Sequence, residues 1–219
     1  MADSQLQRLV EVMDRLRSPG GCPWDAEQTH ESLIKYLLEE SYEFIDAIET
    51  NDRAGMREEL GDVLLQVYFH SRMAQDHPTD PFSIEDVAKL IADKLIRRHP
   101  HVFEGLVVDD MEEVIENWEA IKAKEKGRTS SLDGIAMAQP ALPLVEKLIY
   151  RAEKYKVELP MADVESASQQ LQSAPSEETV GQALASIIAL AHQHGIDPES
   201  SLRGHARAMI EKIRQSEAG

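Results

Sequence analysis

Apolar residues recur at three- and four-residue intervals along most of the chain. Leu6, Leu9, Val10, Met13 and Leu16 mark an amphipathic helix over about 4–17. Ser18-Pro19-Gly20-Gly21 ends it and opens a loop through about Gln28. Thr29 is placed to cap a helix over about 30–50, with Leu33, Tyr36, Leu37, Phe44, Ile45 and Ile48 facing the core. Asn51-Asp52 makes a short break. A third helix follows over about 53–75, carrying Met56, Leu60, Val63, Leu64, Val67 and Tyr68. Past His77-Pro78-Thr79-Asp80-Pro81, Ser83 with Asp86 reads as a capping-box variant opening a helix over about 83–98. Another spans about 109–126 with Trp118 and Ile121. Gly127 to Gly134 reads as a linker, and helices are expected beyond it at about 141–157, 161–172, 177–194 and 198–216. No stretch alternates convincingly at the period of a strand. The pattern predicts an all-α helical bundle with the pair 30–50 and 53–75 side by side at its centre. It divides into a first domain over 1–126, the linker 127–134 and a helical second half over 135–219.

The 219 residues include 40 acids against 23 bases, a formal charge of −17. That balance argues against a nucleic-acid polymer or an anionic membrane as partner, since both require a basic footprint. No apolar run approaches the roughly 18–20 residues of a membrane span, and the charged amphipathic N-terminus is unlike a secretory signal. A single cysteine, Cys22, excludes an internal disulfide framework and fits a reducing cytoplasm. The charge is uneven. Residues 1–125 hold 28 acids and 13 bases, whereas 126–219 hold 12 and 10. Acid blocks are ordinarily solvated surface, so a functional reading needs acids that converge.

Some do. Glu40 and Glu43 are three residues apart, Glu39 and Glu43 four, so all share a flank of the second helix. Glu59 and Asp62 repeat the three-residue spacing on the third. Glu40 and Glu43 lie 11 and 8 residues before Asn51, and Glu59 and Asp62 lie 8 and 11 after it. At a rise of about 1.5 Å per residue, the two pairs meet at the same height in antiparallel helices. Two carboxylates about 5 Å apart repel by roughly 3 kcal/mol at an effective dielectric of 20, against a total stability of about 5–15 kcal/mol. Protonation, basic partners or a cation must offset this. An all-carboxylate site suits a hard ion such as Mg²⁺ or Mn²⁺. Gly61, inside the helix at a cost of about 1 kcal/mol relative to alanine, suggests close packing or close ligand approach.

Bases are scarce, so their clusters are informative. Lys94, Arg97 and Arg98 close the fourth helix at spacings that let them lean one way. They suit either phosphate oxygens or simple capping of the helix C-terminus. Trp118 and Lys122, one turn apart, could contact a nucleobase and its phosphates, although a tryptophan there also suits a helix core. Trp24, Gln28 and Thr29 either line a pocket mouth or anchor their loop. His99 and His101 read as packing or surface residues, and Cys22 as buried.

Glu39-Glu40-x-x-Glu43 followed by Glu59-Leu60-Gly61-Asp62 resembles the MazG nucleoside triphosphate pyrophosphohydrolases. So do Gly21-Cys22-Pro23-Trp24-Asp25-x-x-Gln28-Thr29, Arg97-Arg98-His99-Pro100-His101-Val102-Phe103 and Trp118-Glu119-x-Ile121-Lys122. The resemblance covers residues 4–125. It implies an all-α fold, helical dimers, and Mg²⁺-dependent hydrolysis of NTPs to NMP and pyrophosphate. It also implies metal ligands at Glu40, Glu43, Glu59 and Asp62, with Glu39 beside them assisting metal or water. Lys94, Arg97 and Arg98 would bind the triphosphate, and Trp118 and Lys122 the nucleotide. Two-domain members carry a second acid motif. Residues 135–219 begin plausibly at Gln139–Lys147 but lack any E-x-x-E plus E-x-x-D pair, and so read as a degenerate copy. Amphipathic helices outnumber what a core of about 125 residues needs, which predicts a homodimer or higher homo-oligomer. Competing readings are a dUTP- or dCTP-selective pyrophosphatase and a non-catalytic helical interaction module stabilised by metal. A di-iron bundle would need paired Glu-x-x-His motifs, and Glu27-x-x-His30 stands alone.

Overall fold

A computed structural model describes residues 4–126 and 130–218. Among the described residues the chain is all-α, with no strand: α1 (Gln5–Arg17), α2 (Pro23–Glu27), α3 (Ile34–Glu49), α4 (Arg53–Ala74), α5 (Ile84–Arg98), α6 (Pro100–Phe103), α7 (Met111–Lys126), α8 (Ala141–Lys154), α9 (Val164–Ser173), α10 (Glu177–Gln193) and α11 (Pro198–Glu217). The chain divides into two compact units, Met1–Ile121 and Lys122–Gly219, with the boundary inside α7. Part of the expected linker, 127–129, lies outside the described residues. Among the described residues no helix is long and apolar enough to cross a membrane.

Local chemistry sets the helix ends. Asp52 caps α4, its Oδ1 accepting from the amides of Ala54 and Gly55 at 3.0 Å each. Before it, Asn51 takes a positive φ of 58°. Asparagine tolerates that region better than most residues, so the reversal from α3 to α4 stays short. Ser83 and Asp86 form the expected capping box on α5. The start of α3 differs from expectation. Thr29 does accept from the Ser32 amide at 3.2 Å, and the Thr29 amide donates to Ser32 Oγ at 3.0 Å. Those bonds close a turn, and the helix begins five residues later at Ile34. Two short helices, α2 and α6, begin at Pro23 and Pro100, where proline's fixed φ suits a first helical position.

In the first unit α3 lies along α4, and α4 also packs on α1 and α5. The core is Met13 and Leu33, each 1% exposed, with Tyr68, Phe69 and Met73. Leu9, Val10, Leu16, Tyr36, Leu64, Leu65 and Ile84 surround it. This core sits towards the C-terminal half of α4. Nearer the Asn51 turn, Ile48 and Leu60 are exposed, as are Leu37 and Val67, all four of which were expected inside. Within one chain, these positions on α3 and α4 have no apolar layer above them. In the second unit α10 packs on α8 and α9, and α11 on α8. Small residues allow that approach: Ala152, Ala167, Ala183 and Ser186 are buried beside Ile149 and Ile188. Ser186 Oγ donates to the Ala162 carbonyl at 2.8 Å.

Replacing the α4 cap, Asp52→Ala, should lower stability by about 1 kcal/mol, read as a smaller midpoint in urea denaturation. An unchanged midpoint would show that the turn holds without its cap.

Candidate metal centre

The α3–α4 hairpin brings the carboxylates of the two helices together. One oxygen from each of Glu40, Glu43 and Glu59 lies within 4.8 Å of the others, and no other such trio of His, Cys, Asp or Glu occurs among the described residues. Glu40 and Glu59 are half-buried, Glu43 exposed. Asp62, half-buried on α4, acts electrostatically on both Glu40 and Glu59. Glu39 is exposed and adds its charge to the field on Glu40. The structure therefore joins three of the four expected ligands directly and sets Asp62 and Glu39 next to them.

Electrostatics show the strain of this arrangement. Partial burial pushes the Glu40 carboxyl above the ordinary carboxylate range, and the charges of Asp62, Glu43 and Glu39 push it further. Glu59 is raised in the same way, by partial burial first and then by Glu43, Asp62, Glu58 and Glu40. The charges acting on both groups are carboxylates. Of the three ways to relieve the repulsion, basic partners thus contribute least, which leaves protonation or a cation. Oxygens on opposite sides of an Mg²⁺ ion lie about 4.2 Å apart, twice a bond of about 2.1 Å. A cluster spanning 4.8 Å closes onto such an ion with small side-chain movements, and its oxygens are the hard donors that Mg²⁺ and Mn²⁺ prefer. The residues fit the metal.

Of the two readings of Gly61, close packing is not supported. A Cβ there would meet nothing within 4 Å, so neither close packing nor a close neighbour requires the glycine. Gly21 is the constrained one: a Cβ would collide with the carbonyl oxygens of Arg15 and Leu16, and the adjacent Cys22 amide donates to Leu16 at 2.8 Å. Cys22 itself is half-buried.

The basic residues divide. Lys94 is half-buried and Arg97 exposed, while Arg98 is only 7% exposed. Its guanidinium lies 5.3 Å from the Trp118 ring centroid, a cation–π distance. Consecutive residues on a helix point about 100° apart, so Arg97 and Arg98 do not lean together. Trp118 is half-buried on α7. Lys122, one turn further along α7, is the first residue of the second unit. His99 Nδ1 meets the Leu95 carbonyl at 2.7 Å, which ties it to the end of α5.

The loop before α3 proves to be internally anchored. Gln28 Nε2 donates to the Trp24 carbonyl at 2.9 Å, and Gln28 Oε1 accepts from Ser32 at 2.7 Å. Trp24, half exposed, meets Tyr36 edge-on at 5.9 Å. Arg17 Nη1 donates to the carbonyls of Asp25 and Gln28, and its guanidinium lies over Phe69 at 5.3 Å. Spacing alone did not reveal this arginine, whose position at the end of α1 looks like routine C-terminal charge. Nor did it reveal that His30 meets His70, with 2.7 Å between their Nδ1 atoms.

Because the raised Glu40 and Glu59 carboxyls hold protons more tightly when folded, proton binding stabilises the fold below the ordinary carboxylate range, near pH 4, and that contribution is lost as pH rises through the raised values. Glu40→Gln should therefore raise the melting temperature at pH 7 in chelator-treated buffer, with the gain gone by pH 4. A lower melting temperature at pH 7 would refute the repulsion.

The chain matches the MazG nucleotide pyrophosphohydrolase domain over residues 28–103. It is 40% identical to the nucleoside triphosphate pyrophosphohydrolase/pyrophosphatase MazG of Thermotoga maritima, over 96% of this chain and 85% of that protein. It is 36% identical to the nucleoside triphosphate pyrophosphohydrolase of Escherichia coli K12, over 98% of this chain and 88% of that one. A 26.1 kDa protein of Streptomyces cacaoi is 44% identical over 98% of this chain and 83% of its own length.

Proposed function

The chain belongs to the MazG nucleotide pyrophosphohydrolase family, and on that premise we propose that it hydrolyses nucleoside triphosphates to the monophosphate and pyrophosphate with Mg²⁺, Mn²⁺ serving as a substitute. It is then a hydrolase acting on acid anhydrides. The convergence of Glu40, Glu43 and Glu59 within 4.8 Å is the observation that carries this reading. These three and Asp62 would hold the ion, which supplies water activation and charge neutralisation on the phosphates.

The rest falls to side chains of the chain itself. Glu39, exposed beside the cluster, accepts the proton of the attacking water, within reach of substrate entering from solvent. Lys94 and Arg97 offer donors to the triphosphate and steady the leaving pyrophosphate. Arg98 is assigned the same anion but lies under Trp118, so part of its work is to fix that indole. Trp118 offers a face for the base, and Lys122 a cation one turn on.

Apolar side chains stay exposed on α3, α4 and α5, among them Leu37, Leu38, Tyr42, Leu60, Leu95 and Ile96. They support a homodimer that buries them. The free Cys22 suits a cytoplasmic setting.

Glu40→Gln is expected to reduce pyrophosphate release at saturating Mg²⁺ by at least about 100-fold, the equivalent of about 2.7 kcal/mol, while the helical circular dichroism is kept. Testing wild type across several triphosphates separates broad hydrolysis from dUTP or dCTP selectivity. Thermal stabilisation by Mg²⁺ without release from any triphosphate would instead favour a metal-stabilised interaction module.

A further inference from the structure

His30 and His70 face each other in a way the chemistry above does not use. Their ring planes differ by only 12° and their centroids are 5.0 Å apart. With 2.7 Å between the Nδ1 atoms, that separation is one N···N line extended by a ring radius at each end. The rings are thus edge to edge in nearly one plane, not stacked face to face. This is the alignment of an N–H···N hydrogen bond, in which one Nδ1 carries the proton and the other accepts it.

The donor can be assigned. His70 Nε2 is buried and has no hydrogen-bond partner among the described residues. If His70 Nδ1 were the acceptor, the neutral ring would carry its proton on Nε2 as a buried donor without an acceptor, a rarer arrangement in folded proteins than a buried acceptor left unfilled. With the proton on His70 Nδ1, Nε2 is a bare lone pair. His30, exposed, then accepts at Nδ1 and keeps Nε2–H towards solvent. A metal bridging the two Nδ1 atoms is disfavoured on the same ground, because it would leave the proton on His70 Nε2.

Position gives the bond its meaning. The α3–α4 hairpin is closed covalently at Asn51. Its carboxylates lie 8 to 11 residues from that turn and repel across the interface. His30 lies 21 residues before Asn51 and His70 19 after it, so the two meet at the hairpin's open end. We propose that His30 and His70 are positioning residues, a clasp sharing one Nδ1 proton that holds the start of α3 on α4 and keeps the carboxylates in register, and that protonation of both rings opens it. With both rings protonated, each Nδ1 carries a hydrogen, and two donors and two positive charges would face each other.

Burial pushes the His70 imidazole below its ordinary value, and the charge of His30 pushes it further. Of the surrounding charges, Glu31 lies within electrostatic reach of His30. Arg17 of α1 sits on Phe69, Lys35 of α3 lies over Tyr36, and Arg72 of α4 is paired with Asp14 and Asp76. Asp25 and Glu27 belong to α2, and Asp86 of α5 is held in its capping box. Since the folded pKa is depressed, the clasp's stabilisation is complete above about pH 6.5 and is lost as pH falls through the lowered value.

The consequence for the carboxylates takes their role from the metal reading, but the first two measurements do not. Long-range ¹H–¹⁵N spectra of the intact protein at pH 7.5 should show His70 as the Nδ1–H tautomer and His30 as Nε2–H. Amide exchange at Leu33, Ile34 and Leu37, corrected for its intrinsic pH dependence, should accelerate several-fold between pH 7.5 and 5. In His30→Ala, a change at an exposed position, it should be fast at both. His70 as Nε2–H, or protection that is independent of pH in wild type, would overturn the clasp. Mn²⁺ titration followed by electron paramagnetic resonance should show His30→Ala binding several-fold more weakly at pH 7.5, and equal affinities would overturn its role in carboxylate register. A wild type that binds no Mn²⁺ would sink the metal reading instead, with tautomer and exchange still deciding the clasp.

Discussion

Carboxylate repulsion across the α3–α4 interface is the constraint that organises the first unit. Glu40, Glu43, Glu59 and Asp62 belong to two helices that would separate if nothing held them, and the raised Glu40 and Glu59 carboxyls record the cost. Three features keep the helices paired. The turn is short because Asn51 accepts a positive φ and Asp52 caps the next helix. Towards the far end of α4, Tyr68, Phe69 and Met73 are embedded in a core with Met13 and Leu33. The His30–His70 contact joins the open end. The acids occupy the stretch between turn and core, where the helices lie side by side and the aliphatic packing is thinnest.

Apolar side chains stay exposed along both helices, Leu37 and Val67 beside the core as well as Ile48 and Leu60 near the turn and the acids. An apolar layer placed over this stretch from a second chain would also lower the dielectric around the carboxylates and strengthen their demand for a cation. Assembly and ion binding would then support each other.

The second unit is helical without an acid cluster among the described residues. α8 to α11 bury alanines, Ser186 and isoleucines in close packing, and no acid trio occurs there among the described residues. Helix packing needs only periodicity and small contact residues, so it does not depend on converging acids. The near-balanced charge of residues 126–219 agrees with that.

Much of this was legible in the sequence because it is local. Helix type follows from a period that each segment displays alone, and the capping box at Ser83 from residues three apart. The acid pairs were legible for a related reason: a short turn makes antiparallel helices meet at heights that can be counted from Asn51. What spacing could not reach was anything that depends on side-chain direction across elements far apart in sequence. The turn at Thr29–Leu33 delayed α3 by bonds between side chains and backbone that compete with the helix. Arg98 turned under Trp118 while Arg97 stayed outside, because burial beneath an indole on another helix decided between them. Gly61, singled out by its helix cost, faces open space, and Gly21, in an ordinary-looking loop, is the one with no room. His30 and His70 are 40 residues apart and carry no shared motif. The sequence by itself determined the helices, their antiparallel pairing and the identity of the converging acids, all set by local periodicity and chain connectivity. Only the tertiary structure decided which side chains are buried together and which protons they share, since those depend on contacts that exist only once the helices have packed.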